Sequence, residues 1–125
     1  MRIAVTAVGS TPDAQVDPRF GRTPYYLIYD TENQDYEAVA NPGIQSAHGA
    51  GVQGAQLMLD REVKIVLTGR VGPNAYQILH ASGIEMRACP LGSVAQAIKV
   101  FHQGDLPQIE GAGPAHGGQR RQGNR

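Results

Sequence analysis

The sequence holds a single cysteine, Cys89, among 125 residues. One thiol rules out an internal disulfide and any cluster anchored by several thiolates of one chain. Surplus charge is absent as well, since eleven basic residues balance eleven acidic ones. A nucleic-acid-binding domain needs a basic face to neutralise phosphates, so that class is disfavoured. No apolar run approaches the roughly 20 residues that span a bilayer. Met1-Arg2-Ile3-Ala4-Val5 enters a strand directly and lacks the layout of a signal peptide. A cytoplasmic setting is therefore expected. Catalytic signatures are missing too: there is no nucleophile elbow, no His-Glu-x-x-His and no Cys-x-x-Cys.

What is present is an apolar fraction of 41%, enough for one domain of this length to bury a core. Ile3 to Val8 is a short apolar, β-branched run that reads as a buried strand and stops at Gly9-Ser10. Tyr25 to Tyr29 and Tyr36 to Val39 flank a polar, turn-rich link and predict an antiparallel hairpin. From Gly51 the period changes: Val52, Ala55, Leu57, Met58 and Leu59 recur at helical spacing. Val63 to Leu67 is a further buried strand. Pro73 opens a second helix with the apolar face Ala75, Ile78, Leu79 and Ala81, and Ser82-Gly83 stops it. Ile84 to Ala88 is the last strand. Ser93 is the expected N-cap of a third helix, whose face is Val94, Ala97, Ile98 and Phe101.

The predicted order is β-β-β-α-β-α-β-α, an α/β fold with a mixed five-stranded sheet. It fits a ribonuclease-H-like three-layer domain over residues 1–107. Residues 108–125 lose apolar periodicity and are rich in Gly, Gln and Arg, which predicts a disordered tail. Enzymes of ribonuclease-H-like architecture carry acidic residues on central strands to hold metal ions. Neither Ile3 to Val8 nor Val63 to Leu67 contains one, so the fold does not imply a nuclease.

Ligands gather beyond the carboxyl ends of parallel strands, where helix N-termini offer N–H groups and partial positive charge. Three loops are expected to form one pocket there. The first, residues 41–51, brings His48, Gly49 and Gly51, and reads equally as a linker with a solvated histidine. The second, residues 68–75, brings Arg70, Gly72 and Asn74. It lacks the Gly-Lys-Ser/Thr ending of a phosphate-binding P-loop, and it reads alternatively as a tight structural turn with Arg70 in solvent. The third, residues 88–93, places Cys89 near a helix start that favours thiolate, although a lone cysteine is more often structural. Asp17-Pro18-Arg19-Phe20-Gly21-Arg22 adds two arginines. They contact an anion, or Asp17 and Arg22 pair and stiffen the loop, and the two readings are compatible. His80 and His102 fall within helices and read as surface residues.

Five stretches carry a resemblance in combination: Arg2-Ile3-Ala4-Val5, Phe20-Gly21-Arg22-Thr23-Pro24-Tyr25-Tyr26, Asn41-Pro42, Gly49-Ala50-Gly51, and Thr68-Gly69-Arg70-Val71-Gly72-Pro73-Asn74-Ala75. In this order they resemble the dinitrogenase iron–molybdenum cofactor biosynthesis family over about the first hundred residues. The chain looks like its small stand-alone members, among which is a carrier of a molybdenum–copper sulfide cluster. The resemblance implies a ribonuclease-H-like domain that binds that cluster, or a related iron–molybdenum or thiometallate cluster, without catalysis. It also implies donor or acceptor proteins for the cluster. The cofactor-binding residues are then expected to be Arg19, Arg22, His48, Gly49, Gly51, Arg70, Gly72, Asn74 and Cys89, with Cys89 and His48 as possible direct metal ligands. The alternative is a regulatory or interaction module that keeps the fold without the cluster.

Overall fold

The computed structural model describes residues 1–44 and 49–112. The elements follow as β1 (Arg2–Ala7), β2 (Tyr25–Asp30), β3 (Asp35–Ala40), α1 (Ala50–Asp60), β4 (Val63–Thr68), α2 (Pro73–Ala81), β5 (Glu85–Ala88) and α3 (Val94–His102). The strands form one sheet in the order β3-β2-β1-β4-β5. β1 pairs parallel with β4, and β4 with β5, while the β1–β2 and β2–β3 pairs are antiparallel. Two reversals return β3 to the direction of β1. The carboxyl ends of β1, β3, β4 and β5 therefore share one edge of the sheet.

Alternation along β1 divides the core. Ala4 packs with Val66, Ala55, Met58, Ala75 and Leu79 beneath α1 and α2. Ile3, Val5 and Ala7 pack with Leu67, Val94, Ala97 and Ile98 beneath α3. A period of two on the strands and of 3.6 on the helices thus buries opposite stripes against each other. Because α1 and α2 cover one face and α3 the other, their N-termini reach the shared edge on different sides of the sheet.

Local signals set the helix ends. Pro73 occupies the first helical position of α2, where its missing N–H is harmless. Ser93 caps α3, its Oγ accepting from the Gln96 N–H at 3.1 Å, a contact worth about 1 kcal/mol.

The expected domain limit at residue 107 moves outward. The Ala88 N–H donates to the Pro107 carbonyl and the Ile109 N–H to the Met86 carbonyl, each at 2.8 Å. Gln108 bridges Arg87 antiparallel, and Ile109 packs on the first core. β5 is an edge strand, and this short segment satisfies part of its outer backbone. Three residues that pair without periodicity carry no pattern to read. The expectation for residues 113–125 lies outside the described residues. Truncation after Asp105 removes this cover and Leu106, which is only 4% exposed. Relative to a chain ending at Ala112, it is expected to lower the unfolding free energy by about 3 kcal/mol, the scale of losing a buried leucine. Urea unfolding of the two chains measures this.

Candidate functional site

At the shared edge the loops of β1 and β4 are sewn together. Asp17 N–H donates to the Thr6 carbonyl at 2.9 Å, and Thr6 Oγ1 donates back to the Asp17 carbonyl at 2.5 Å. The Thr6 hydroxyl has one proton, so Thr68 Oγ1, 2.8 Å away, serves as donor to it. Arg70 N–H donates to the Pro18 carbonyl at 2.9 Å, and Phe20 N–H to the Arg70 carbonyl at 3.2 Å. The partner of Asp17 is Arg19 and not the Arg22 expected as one alternative. Its carboxylate accepts from Arg19 Nε at 3.1 Å, Nη2 at 3.0 Å and the Arg19 N–H at 2.9 Å. A bidentate fork from the Arg19 guanidinium occupies both carboxylate oxygens. Arg19 therefore stiffens the loop.

The loop turns at Gly21, where φ is +95°. Its N–H donates to Tyr26 Oη at 3.1 Å. That phenol is fully buried, and burial pushes it well above its ordinary pKa. Asn41 completes the frame: its Nδ2 donates to the carbonyls of Gly21 at 2.9 Å and Thr23 at 2.8 Å.

Between this loop and the starts of α1 and α2 lies an open cleft of about 610 Å³. Arg22, Gly49, Gly51, Gly72 and Asn74 line it, together with Phe20, Gly21 and Pro73. Five of the nine expected residues thus come together. Arg22 Nη1 also lies 3.5 Å from the Ile44 carbonyl. The α1 N-cap is Gly49, in a left-handed conformation, and the α2 N-cap is Gly72, in an extended one. Neither provides a side-chain cap, so the first turns of both helices present their N-terminal dipoles to the cleft. At Gly72 an added Cβ would meet no atom of the described residues within 4 Å. The backbone at that point faces open space.

The remaining candidates lie elsewhere. Arg70 is exposed and contributes to the stitching through its backbone, outside the lining of the cleft. His48 lies outside the described residues. Cys89 is 8% exposed and belongs to the second core, with Val94, Ala97 and Ile98. The expected thiolate is not formed: burial pushes the Cys89 thiol up to about 11. The backbone N–H of Cys89 pulls the thiol down, but desolvation is the larger effect. α3 starts beside Cys89 on the face away from the cleft and is capped by its own Ser93. For that reason Gly92 does not join the cleft; its carbonyl accepts from the Val16 N–H at 2.7 Å. The three loops share one edge but do not make one pocket. His80 and His102 are exposed, and each lies against a tyrosine ring, Tyr76 and Tyr29 respectively.

A raised thiol pKa favours the protonated form in the fold. The resulting stability is complete below the ordinary value of 9.0 and is lost as pH rises through about 11. Replacing Cys89 with Ser puts a hydroxyl into an apolar cluster. It is expected to destabilise by about 1–3 kcal/mol and to remove part of the alkaline loss, while leaving the cleft intact. Denaturant unfolding at neutral and alkaline pH checks this.

Among the described residues no group of three or more His, Cys, Asp or Glu could hold a metal ion. The cleft instead offers helix starts and an arginine, a donor set suited to anions. Another open cleft, of about 620 Å³, lies at the opposite edge, lined by Arg2 and Lys64 beside Asp30, Glu32 and Glu62. Mixed charges and the nearby carboxyl ends of α1 and α2 make it a poor anion host. Asn41 received no role from the sequence. The signal was available in Asn41-Pro42-Gly43, an Asx-turn pattern, and the Gly43 N–H does donate to Asn41 Oδ1 at 2.9 Å.

Residues 1–104 match the family model described as dinitrogenase iron-molybdenum cofactor. An uncharacterized protein of Methanocaldococcus jannaschii is 28% identical over 99 residues, which cover 77% of this chain and 84% of that one. The apo form of the orange protein from Desulfovibrio gigas superposes with a TM-score of 0.84 at 39% identity, covering 88% of this chain and 93% of that chain. A NifB-like protein from Thermotoga, solved by NMR, gives a TM-score of 0.77 at 36% identity and covers 86% and 91%. With the family match extending over almost the whole described fold, this chain belongs to the dinitrogenase iron–molybdenum cofactor family.

Proposed function

We propose that the protein binds an anionic metal–sulfur cluster, of molybdenum–copper or iron–molybdenum type, in the cleft between α1 and α2, and stores or delivers it without catalysing a reaction. The observation that carries this reading is the contrast among the helix starts. α3, which opens away from the cleft, is capped by its own serine; α1 and α2, which open into it, begin at glycines with no cap to offer. A sulfide-rich anion accepts hydrogen bonds at many points of its surface and fits such a donor set without a covalent ligand. Arg22 adds a charged donor. Family membership and the similarity to the orange protein support the same class of ligand. The strand order β3-β2-β1-β4-β5 supports the ribonuclease-H-like assignment. Delivery requires donor or acceptor proteins able to reach the open side of the cleft. No helix among the described residues is long and apolar enough to cross a membrane.

The test is titration of the apo-protein with tetrathiomolybdate, alone and with copper(I), followed by visible absorption and elemental analysis. Saturable charge-transfer bands are expected. Arg22→Ala is expected to weaken binding at least about tenfold, the scale of a lost charge-assisted contact. Added salt of about 0.5 M weakens it further, because the cleft is open to solvent. Absence of saturable binding, or loss of the bands in Cys89→Ser alone, would rule the reading out.

A further inference from the structure

An anion site needs donors turned inward and acceptors turned away, because a carbonyl oxygen facing the ligand opposes it. The segment around Arg22 contains both. Arg22 lines the cleft, and the carbonyls of Gly21 and Thr23 stand on either side of it. Both carbonyls are taken by one buried side chain: Asn41 Nδ2 donates to them at 2.9 and 2.8 Å. Asn41 Oδ1 accepts from the Gly43 N–H at 2.9 Å, and the Asn41 N–H donates to the Pro24 carbonyl at 3.0 Å. Asn41 is 5% exposed and does not line the cleft. Its amide has only one satisfactory orientation, since the reverse would set its oxygen against two carbonyl oxygens.

We infer that Asn41 is a positioning residue for Arg22, an inference that rests on the cluster-binding function proposed above. Holding the carbonyls on both sides of Arg22 fixes the direction in which its side chain leaves the backbone, toward the cleft. The same two hydrogen bonds turn two acceptors toward a group outside the cleft. Neither effect requires Asn41 to touch the ligand.

The full-length apo chain is titrated with tetrathiomolybdate as wild type, Asn41→Ser, Arg22→Ala and the double variant, well below their melting temperatures. Asn41→Ser is expected to weaken binding about tenfold when Arg22 is present and less than about threefold when it is alanine, the non-additivity of residues acting together. An equal loss in both backgrounds would reduce Asn41 to a support of the fold and overturn the inference; so would an unchanged affinity. A second readout needs no ligand. In proton–nitrogen spectra of the apo-protein, Asn41→Ser is expected to move the Arg22 Nε–Hε resonance, and Leu106→Ala, which weakens the other core, to leave it in place. Should wild type not bind tetrathiomolybdate, the functional reading fails, and this resonance decides alone: unmoved in Asn41→Ser, it overturns the positioning role. Asn41→Ala, which removes both donors and sets no oxygen against the two carbonyls, replaces the serine variant where that one does not fold.

Discussion

Gly72→Ala is expected to leave the protein about as stable as before and to weaken thiometallate binding by at least about tenfold. The backbone at Gly72 has φ −70° and ψ 169°, which any residue adopts. An added Cβ meets nothing among the described residues within 4 Å. Substitution at such a position gains about 0.4–1 kcal/mol because the unfolded chain loses freedom, which offsets the preference of an N-cap for glycine over alanine. Nothing in the fold therefore requires glycine there. The methyl group would project where a ligand approaches the first turn of α2, and would hold it off the N–H groups it needs. Thermal melting and tetrathiomolybdate titration of the same variant check both halves. Affinity kept within about twofold of wild type, a change too small to reflect a lost contact, would place the ligand away from α2.

Gly21→Ala is expected to do the reverse and damage the fold itself. Gly21 lies at φ +95°, and an alanine Cβ would stand 2.9 Å from Gly51 Cα and 3.0 Å from Gly51 N. The left-handed conformation costs about 1–2 kcal/mol, and forcing backbone apart adds about 1–3 kcal/mol. A total of about 2–5 kcal/mol is expected in denaturant unfolding, a large share of the stability of a small domain. Because Gly51 belongs to the first turn of α1, the displacement would also open the cleft. Unfolding energies matching wild type would mean that the loop does not rest on α1. Two glycines about the same cleft thus separate a ligand requirement from a structural one.

The sequence made the elements legible because their signals are local. Alternating runs at Ile3 and Val63, proline at position 73 and serine at position 93 each act within a few residues, and the strands and helices begin and end within one or two residues of where these signals point. Sidedness was harder. Loop 88–93 reads like the other two glycine-containing loops, and only the alternation of β1 between two cores shows that α3 lies on the far face, taking Cys89 with it. Asp17 and its partner depended on loop geometry, which composition does not encode. The pairing of Gln108 with Arg87 joins residues 21 positions apart through backbone groups that every residue possesses. Asn41 stood in plain view, but its role arises from two carbonyls that fold back from another segment.

If the proposed cluster sits at the glycine starts of α1 and α2, the lifetime of this protein is tied to its occupancy. The donors of the cleft converge only in the folded chain, so a ligand bound there stabilises folding by mass action, about 2.7 kcal/mol when its free concentration is 100 times Kd. Proteases that cleave transiently opened chains sample the empty form more often than the filled one by the corresponding factor. With the proposed metal–sulfur cargo, scarcity of metal or sulfide would leave more of the protein vacant and open to degradation. Its abundance would then follow the supply of that proposed cargo.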